Sequence, residues 1–194
     1  MLKTFTTAAA IIITLAGNSL FAQTFKADTS KSKIAWYAAK VTGKHEGTVK
    51  LTSGSLTLDG DKVKSGTFEV NMTSITVTDL EGEYKGKLEG HLKNDDFFAV
   101  DKFPKANFVL TEGKKEANGS YTLKGNLTIK GITKPVTFPA TITKSGGTLT
   151  STSTLVVDRT LYDIRYGSKS FFDNIGDKAI DNEFKLTVTI VANK

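Results

Sequence analysis

The sequence predicts an all-β protein, an eight-stranded antiparallel barrel with one short helical insertion. Apolar and polar residues alternate with period two through eight separate stretches, which is the mark of strands with one dry and one wet face. Glycine, aspartate and asparagine turn signals, at Asp59-Gly60-Asp61, Asn118-Gly119 and Ser145-Gly146-Gly147, separate most of those stretches. Antiparallel strands joined this closely leave edges exposed, and closure into a barrel removes them.

Ahead of the strands, residues 1–22 read as a secretory signal peptide: Lys3, an apolar run from Ala8 to Leu15, a break at Gly17–Ser19 and a short end at Phe21-Ala22. The apolar run is too short to cross a bilayer. Cleavage after Ala22 leaves one mature domain, residues 23–194, expected in the periplasm or outside the cell. No cysteine occurs in the 194 residues, so neither a lipid anchor after the leader nor a disulfide framework, thiol nucleophile or cysteine-bound metal is expected. With no second long apolar run, no transmembrane span is expected either.

The first three strands fall at Ile34–Lys40, at Thr48–Leu58 and around Phe68, Val70 and Met72. Leu80, Tyr84, Leu88 and Leu92 then recur at four-residue spacing, so Leu80–Lys93 reads as a helix with an apolar stripe or an ordered loop, because Gly82, Gly86 and Gly90 each weaken a helix by about 1 kcal/mol. Asp95 and Asp96 precede Phe97 and Phe98 and are expected to cap that aromatic turn by accepting backbone N–H bonds. A strand at Ala106–Glu112 leads to Tyr121, Leu123, Gly125, Leu127 and Ile129 on one face of the next. Val136, Phe138, Ala140 and Ile142 repeat the pattern, with Gly131–Pro135 as the expected turn between the two. Thr148–Val157 follows, then an apolar loop from Arg159 to Asp181 that must pack on something, the barrel mouth being the nearest surface. Phe184, Leu186, Val188 and Ile190 complete the eight strands.

Charge excludes one partner class. The net charge is +6, yet 24 of the 26 basic residues are lysines spread over most of the chain, and Arg159 and Arg165 are the only arginines. A nucleic-acid reader uses arginine forks or a clustered basic stripe, so nucleic acid is not an expected partner. His45 and His91 lie far apart with no His-Glu-x-x-His or nucleophile-elbow context, and nothing in their spacing from Glu46, Asp95 or Asp96 favours a metal site. No catalytic residue, metal or cofactor is therefore assigned.

A more informative face is Leu149, Ser151, Ser153, Leu155 and Val157, where small residues stand at positions a filled core gives to bulky ones; Gly125 and Ala140 act alike on other strands. Small inward residues leave apolar volume for a lipid-like guest, unless long side chains from facing strands fill it.

Three motifs then resemble the YceI-like family. They are His91-Leu92-Lys93-Asn94-Asp95-Asp96-Phe97-Phe98 with Phe103-Pro104-Lys105-Ala106-Asn107-Phe108; Leu127-Thr128-Ile129-Lys130-Gly131-Ile132-Thr133-Lys134-Pro135-Val136; and Asp158-Arg159-Thr160 through Ile164-Arg165-Tyr166-Gly167-Ser168-Lys169-Ser170-Phe171-Phe172. They stand in family order over nearly the whole mature chain, with Trp36 and His45 in the first part. Asn94 and Ala99 depart from the pattern, where Ser and a polar or acidic residue are frequent. The resemblance implies a lipocalin-like barrel, often periplasmic or secreted, that holds a long polyisoprenoid such as a polyprenyl phosphate or a quinone tail, with a link to envelope stress and no reaction assigned.

The expected function is non-catalytic binding and carriage of a long-chain isoprenoid lipid, as a monomer or homodimer. Expected lining residues are Trp36, Phe68, Val70, Phe97, Phe98, Phe108, Leu127, Phe138, Leu155, Ile164 and Phe171. For a phosphorylated head, His45, Arg159, Arg165 and Lys169 are the expected donors. Two alternatives stand beside it: a lipid-modifying enzyme with His45 or His91 as general base, and a filled barrel acting as an envelope interaction module.

Overall fold

The computed structural model describes residues 22–194, so the signal segment expected at 1–22 lies, but for Ala22, outside the described residues. Nine strands and one helix follow in order: β1 (Gln23–Ala27), β2 (Lys33–Lys40), β3 (Gly43–Asp59), β4 (Lys62–Val77), α1 (Gly82–Lys93), β5 (Lys105–Lys115), β6 (Tyr121–Ile129), β7 (Ile132–Ser145), β8 (Thr148–Asp158) and β9 (Ile180–Asn193). Every pairing between neighbours is antiparallel, and β3 pairs with both β2 and β4, which closes the sheet on itself. The short β1 pairs with the far half of β3, Gln23 opposite Leu58, and with the end of β9, Ala27 opposite Ala192. It therefore shares one place in the barrel with β2, so nine strands make an eight-position barrel.

Two strands run much longer than their alternation predicts. β3 has 17 residues and β4 has 16, and their shared ladder shifts register between Thr48 and Lys50, Leu51 and Ser53, and Thr57 and Leu58. The first displaces the register by three residues and the other two by one each; every odd shift flips the inward phase of the strand that carries it, which breaks a period-two pattern into fragments. The β6–β7 turn is also tighter than expected from Gly131–Pro135. It is the pair Lys130-Gly131, with φ of 50° and 71°, and Pro135 lies inside β7 opposite Asn126. Positive φ at both central residues suits the right-handed twist of a two-residue hairpin.

One end of the barrel is a packed floor. Phe25, Leu58 and Leu149 are fully buried there, joined by Val63, Tyr121, Ala140 and Ala192, and the Tyr121 hydroxyl donates to the Asp61 carbonyl at 3.0 Å. Gly125, expected to leave volume, does not. A Cβ there would collide with the Phe108 ring and the Val109 carbonyl, so the missing side chain is the space Phe108 occupies.

At the other end the mouth is built from α1, residues 94–104 and the loop between β8 and β9. The apolar stripe expected on α1 is only partly used: Leu92 packs toward the core, whereas Tyr84 is 74% exposed and no residue of the helix is fully buried. What ties α1 down is polar. The Glu89 carboxylate accepts from Thr76 Oγ1 at 2.6 Å and from the Val77 N–H at 2.9 Å. In the following turn the cap is Asn94, whose Oδ1 accepts the Asp96 N–H at 3.0 Å, and not the acids themselves. Asp95 instead pairs with Lys102 at 2.6 Å, while Asp96 stands 3.7 Å from His91 Nε2. An amide side chain caps as well as a carboxylate, leaving both acids free for basic partners.

Gly125→Val is expected to lower unfolding free energy by about 1–3 kcal/mol through overpacking against Phe108, read from the urea midpoint. The Thr76 hydroxyl, then the Val77 N–H, hold the Glu89 carboxyl below its ordinary pKa. A carboxylate lowered in the fold contributes stability above its unfolded pKa of about 4.3 and loses it as pH falls through the folded value. Amide exchange in α1, corrected for intrinsic rates, is therefore expected to accelerate as pH drops below about 4, with Glu89→Gln flattening that dependence.

Candidate functional site

Above the floor the barrel interior is hollow. A cavity of about 200 Å³ lies there, lined by the inward residues of β2–β9 and closed toward the mouth by Leu92, Phe97 and Phe98. The ladder register sorts the wall into rungs. Ser151 lies opposite Ile190; Ser153 opposite Val188, itself opposite Ile34; and Leu155 opposite Leu186, itself opposite Trp36. Ser151 and Ser153 border the empty space, as small residues on an inner face should, whereas Ala140 belongs to the packed floor. Aromatic rings form much of the rest. Phe108 stands 5.5 Å from Phe138 and 6.5 Å from Phe68, and Phe98 meets Phe184 edge to face at 6.4 Å.

Ten of the eleven expected lining residues border this cavity: Trp36, Phe68, Val70, Phe97, Phe98, Phe108, Leu127, Phe138, Leu155 and Ile164. Phe171 does not. It stands on the rim, 45% exposed, with the Arg165 guanidinium 4.8 Å from its ring centre. An aromatic residue in an irregular loop has no period to say which way it points. Val49, Leu51, Ile75, Leu123, Phe184 and Leu186 border the cavity without having been singled out. For Phe184 and Leu186 the signal was present in the last alternating stretch; for Val49, Leu51 and Ile75 the bulged ladder of β3 and β4 hides it.

The four expected head-group donors are not gathered at one place. Arg159 borders the cavity but is 4% exposed, and its guanidinium donates to four backbone carbonyls: Asp181 from Nε at 2.9 Å, Ile164 and Tyr166 from one terminal nitrogen at 2.8 Å each, and Ile180 from the other at 3.0 Å. It staples the β8–β9 loop to the start of β9. Burial presses its pKa below the ordinary arginine value, with Asp158 and Asp181 opposing that shift. Arg165 is paired with Asp163 at 2.7 Å, and Lys169 is exposed on the same loop.

His45 lies elsewhere, in a surface groove under α1 shared with Leu80, Tyr84, Lys87, Leu88 and His91. The fold thus brings together the two histidines that stand far apart in sequence. His45 Nδ1 is 2.9 Å from Asp79 Oδ2, and Asp79 Oδ1 accepts the Glu46 N–H at 3.2 Å. Burial pushes the Asp79 carboxyl up, but the Glu46 N–H and His45 outweigh it and the net shift is downward. The His91 ring is edge-on to Tyr166 at 4.5 Å and to the cavity residue Phe97 at 4.8 Å. Among the described residues, no three His, Cys, Asp or Glu side chains converge as a metal site.

One wall group is unsatisfied. Trp36 Nε1 is buried with no hydrogen-bond partner, and its ring lies over Gly47, where any Cβ would collide with it and with the Thr76 carbonyl. A buried donor left unpaired costs about 1–3 kcal/mol.

A closed antiparallel barrel, packed at one end and apolar and hollow at the other, belongs to the class of small-ligand calyces. Residues 25–192 match the YceI-like domain, and the chain belongs to that family. Among curated relatives, a UPF0312 protein of Shewanella denitrificans is 38% identical over 87 residues, 45% of this chain and 44% of that one. A UPF0312 protein of Yersinia enterocolitica is 52% identical over 56 residues, 29% of each. The chain thus matches less than half the length of these relatives. The crystal structure of Burkholderia cenocepacia BcnA superposes with a TM-score of 0.72 at 23% identity, covering 86% of this chain and 99% of that one. A polyisoprenoid binding domain from Saccharophagus degradans superposes with a TM-score of 0.59 at 11% identity, covering 87% and 97%. At these identities the likeness shows a shared barrel fold.

Arg159→Ala is expected to lower unfolding free energy by about 3 kcal/mol, since it strands buried carbonyls, and Arg159→Lys to recover less than half of that because an ammonium cannot reach in a planar fork. Urea denaturation of both variants, with proteolysis at the β8–β9 loop, reads the difference.

Proposed function

We propose that the protein is a non-catalytic carrier of a long-chain polyisoprenoid or isoprenoid-quinone lipid, working in the periplasm or outside the cell. The observation that carries this reading is the division of the barrel interior: a packed floor below and a hollow apolar chamber above it. Membership of the YceI-like family supports it, as does the likeness to a domain described as polyisoprenoid binding. Each methylene withdrawn from water contributes about 0.8 kcal/mol before ordering costs, so a chain binds well with few polar contacts. A dry cavity of about 150 Å³ holds one benzene ring. The present volume of about 200 Å³ therefore takes a short run of isoprene units, and a longer chain continues out past the rim, where Tyr166, Phe171 and Phe172 keep apolar surface exposed. The link to envelope stress implied by the family resemblance is a physiological corollary of carrying an envelope lipid.

Mass spectrometry of an organic extract, from mature protein purified without detergent out of its own envelope, is expected to show one isoprenoid at near-stoichiometric amount. A native mass equal to the bare chain, with no lipid in the extract, overturns the carrier reading and leaves a barrel that serves as an interaction module. Ser153→Phe is expected to fill the chamber, cutting lipid occupancy at least tenfold while leaving the far-ultraviolet circular dichroism unchanged.

A further inference from the structure

The cavity wall holds one donor that the protein itself does not satisfy. Trp36 sits on β2 opposite Gly47 and Leu186, with Ile34 and Ala38 as its neighbours on the same inner face, and none of these carries a side-chain acceptor. The indole nitrogen is buried without a partner. Among the described residues, the other polar ones bordering the chamber are Ser153 and Ser151, one and two rungs nearer the floor, Asn107 on β5, and Arg159 and Asp181 at the mouth end. Arg159 is the sole cationic residue bordering the cavity among the described residues, and four of the five N–H groups of its guanidinium are held by backbone carbonyls. The chamber therefore offers mainly neutral hydrogen-bonding groups, one acidic residue at its mouth end and little free positive charge.

We infer that the Trp36 indole N–H is the anchoring contact for the ligand's polar group, and that this group is an uncharged oxygen acceptor, such as the carbonyl of an isoprenoid quinone, rather than a phosphate or diphosphate. The inference rests on the lipid-carrier reading and narrows it. A carbonyl brought to this nitrogen recovers a hydrogen bond the empty site lacks, and a hydrocarbon of equal length does not. A diphosphate brought into the same wall loses its water and meets neutral hydrogen-bonding groups and an acidic residue, which cannot repay the desolvation of a multiply charged anion.

The test compares three probes on the whole mature protein by calorimetric titration: a farnesyl-substituted benzoquinone, farnesylbenzene and farnesyl diphosphate. Wild-type protein is expected to bind the quinone about tenfold more tightly than the hydrocarbon and the diphosphate weakest of the three. Trp36→Phe keeps an aromatic wall and removes the donor; it is expected to lose about tenfold for the quinone and less than twofold for farnesylbenzene. Trp36 is the single tryptophan of the sequence, so its indole N–H resonance in wild-type protein reports the contact without a variant. A downfield shift with the quinone and none with farnesylbenzene is expected. Equal losses for both probes in Trp36→Phe, an unmoved indole resonance, or tightest binding of the diphosphate overturns the inference and leaves the carrier reading standing. Failure of the wild-type protein to bind any of the three overturns both.

Discussion

Closure of the sheet through the β3–β4 pairing is the constraint on which the rest depends. Once β2 to β9 form a ring of eight positions, every inward residue faces a fixed volume, and that volume is either filled or left open. The floor is filled because β1 enters the place that β2 leaves vacant, bringing Phe25 against the inner ends of β3 and β9. The chamber stays open because β8 offers Ser151 and Ser153 where the rungs above and below carry leucine. Moving bulk from the floor to those two positions turns a calyx into a solid barrel without altering one strand pairing.

The two ends are held by different physics. Apolar packing holds the floor, which has no reason to open. At the mouth the fastenings are discrete and polar: the Glu89 carboxylate on the end of β4, the Arg159 guanidinium on four carbonyls, and Asn94 capping the turn between α1 and β5. Opening at such an end breaks a few hydrogen bonds and exposes little apolar core, so local opening belongs there. This unevenness suits a container, whose contents must enter and leave past a boundary weaker than its base.

The interior chemistry follows from the same geometry. Arg159 is drawn away from the ligand space by the loop it organises, and the rim arginine is neutralised beside Asp163. His45 and His91 line one groove outside the chamber, beside α1, where Asp79 fixes the orientation of the His45 ring. Among the described residues, the rest of the chamber's border is apolar wall, the hydroxyls of Ser151 and Ser153, Asn107 and Asp181, and one unpaired indole N–H.

Alternation is a property of the backbone itself, period two in a strand, so the sequence alone determined which residues of β2 and β5–β9 face inward and hence most of the cavity wall. The family motifs, which span the mouth segments, determined the barrel type. Only the tertiary structure decided the rest. Bulges in β3 and β4 broke the period that would have marked Val49, Leu51 and Ile75 as inward, and a five-residue β1 was too short to show a period. Whether a small residue leaves a void depends on what stands across the barrel: Phe108 fills the space beside Gly125, whereas nothing fills the space beside Ser153. In the loops no period exists, so whether Arg159 turns inward to carbonyls and Phe171 outward to the rim is decided by contacts between segments distant in sequence. A local pattern says which face a side chain takes; only a closed ring of strands says what it meets there.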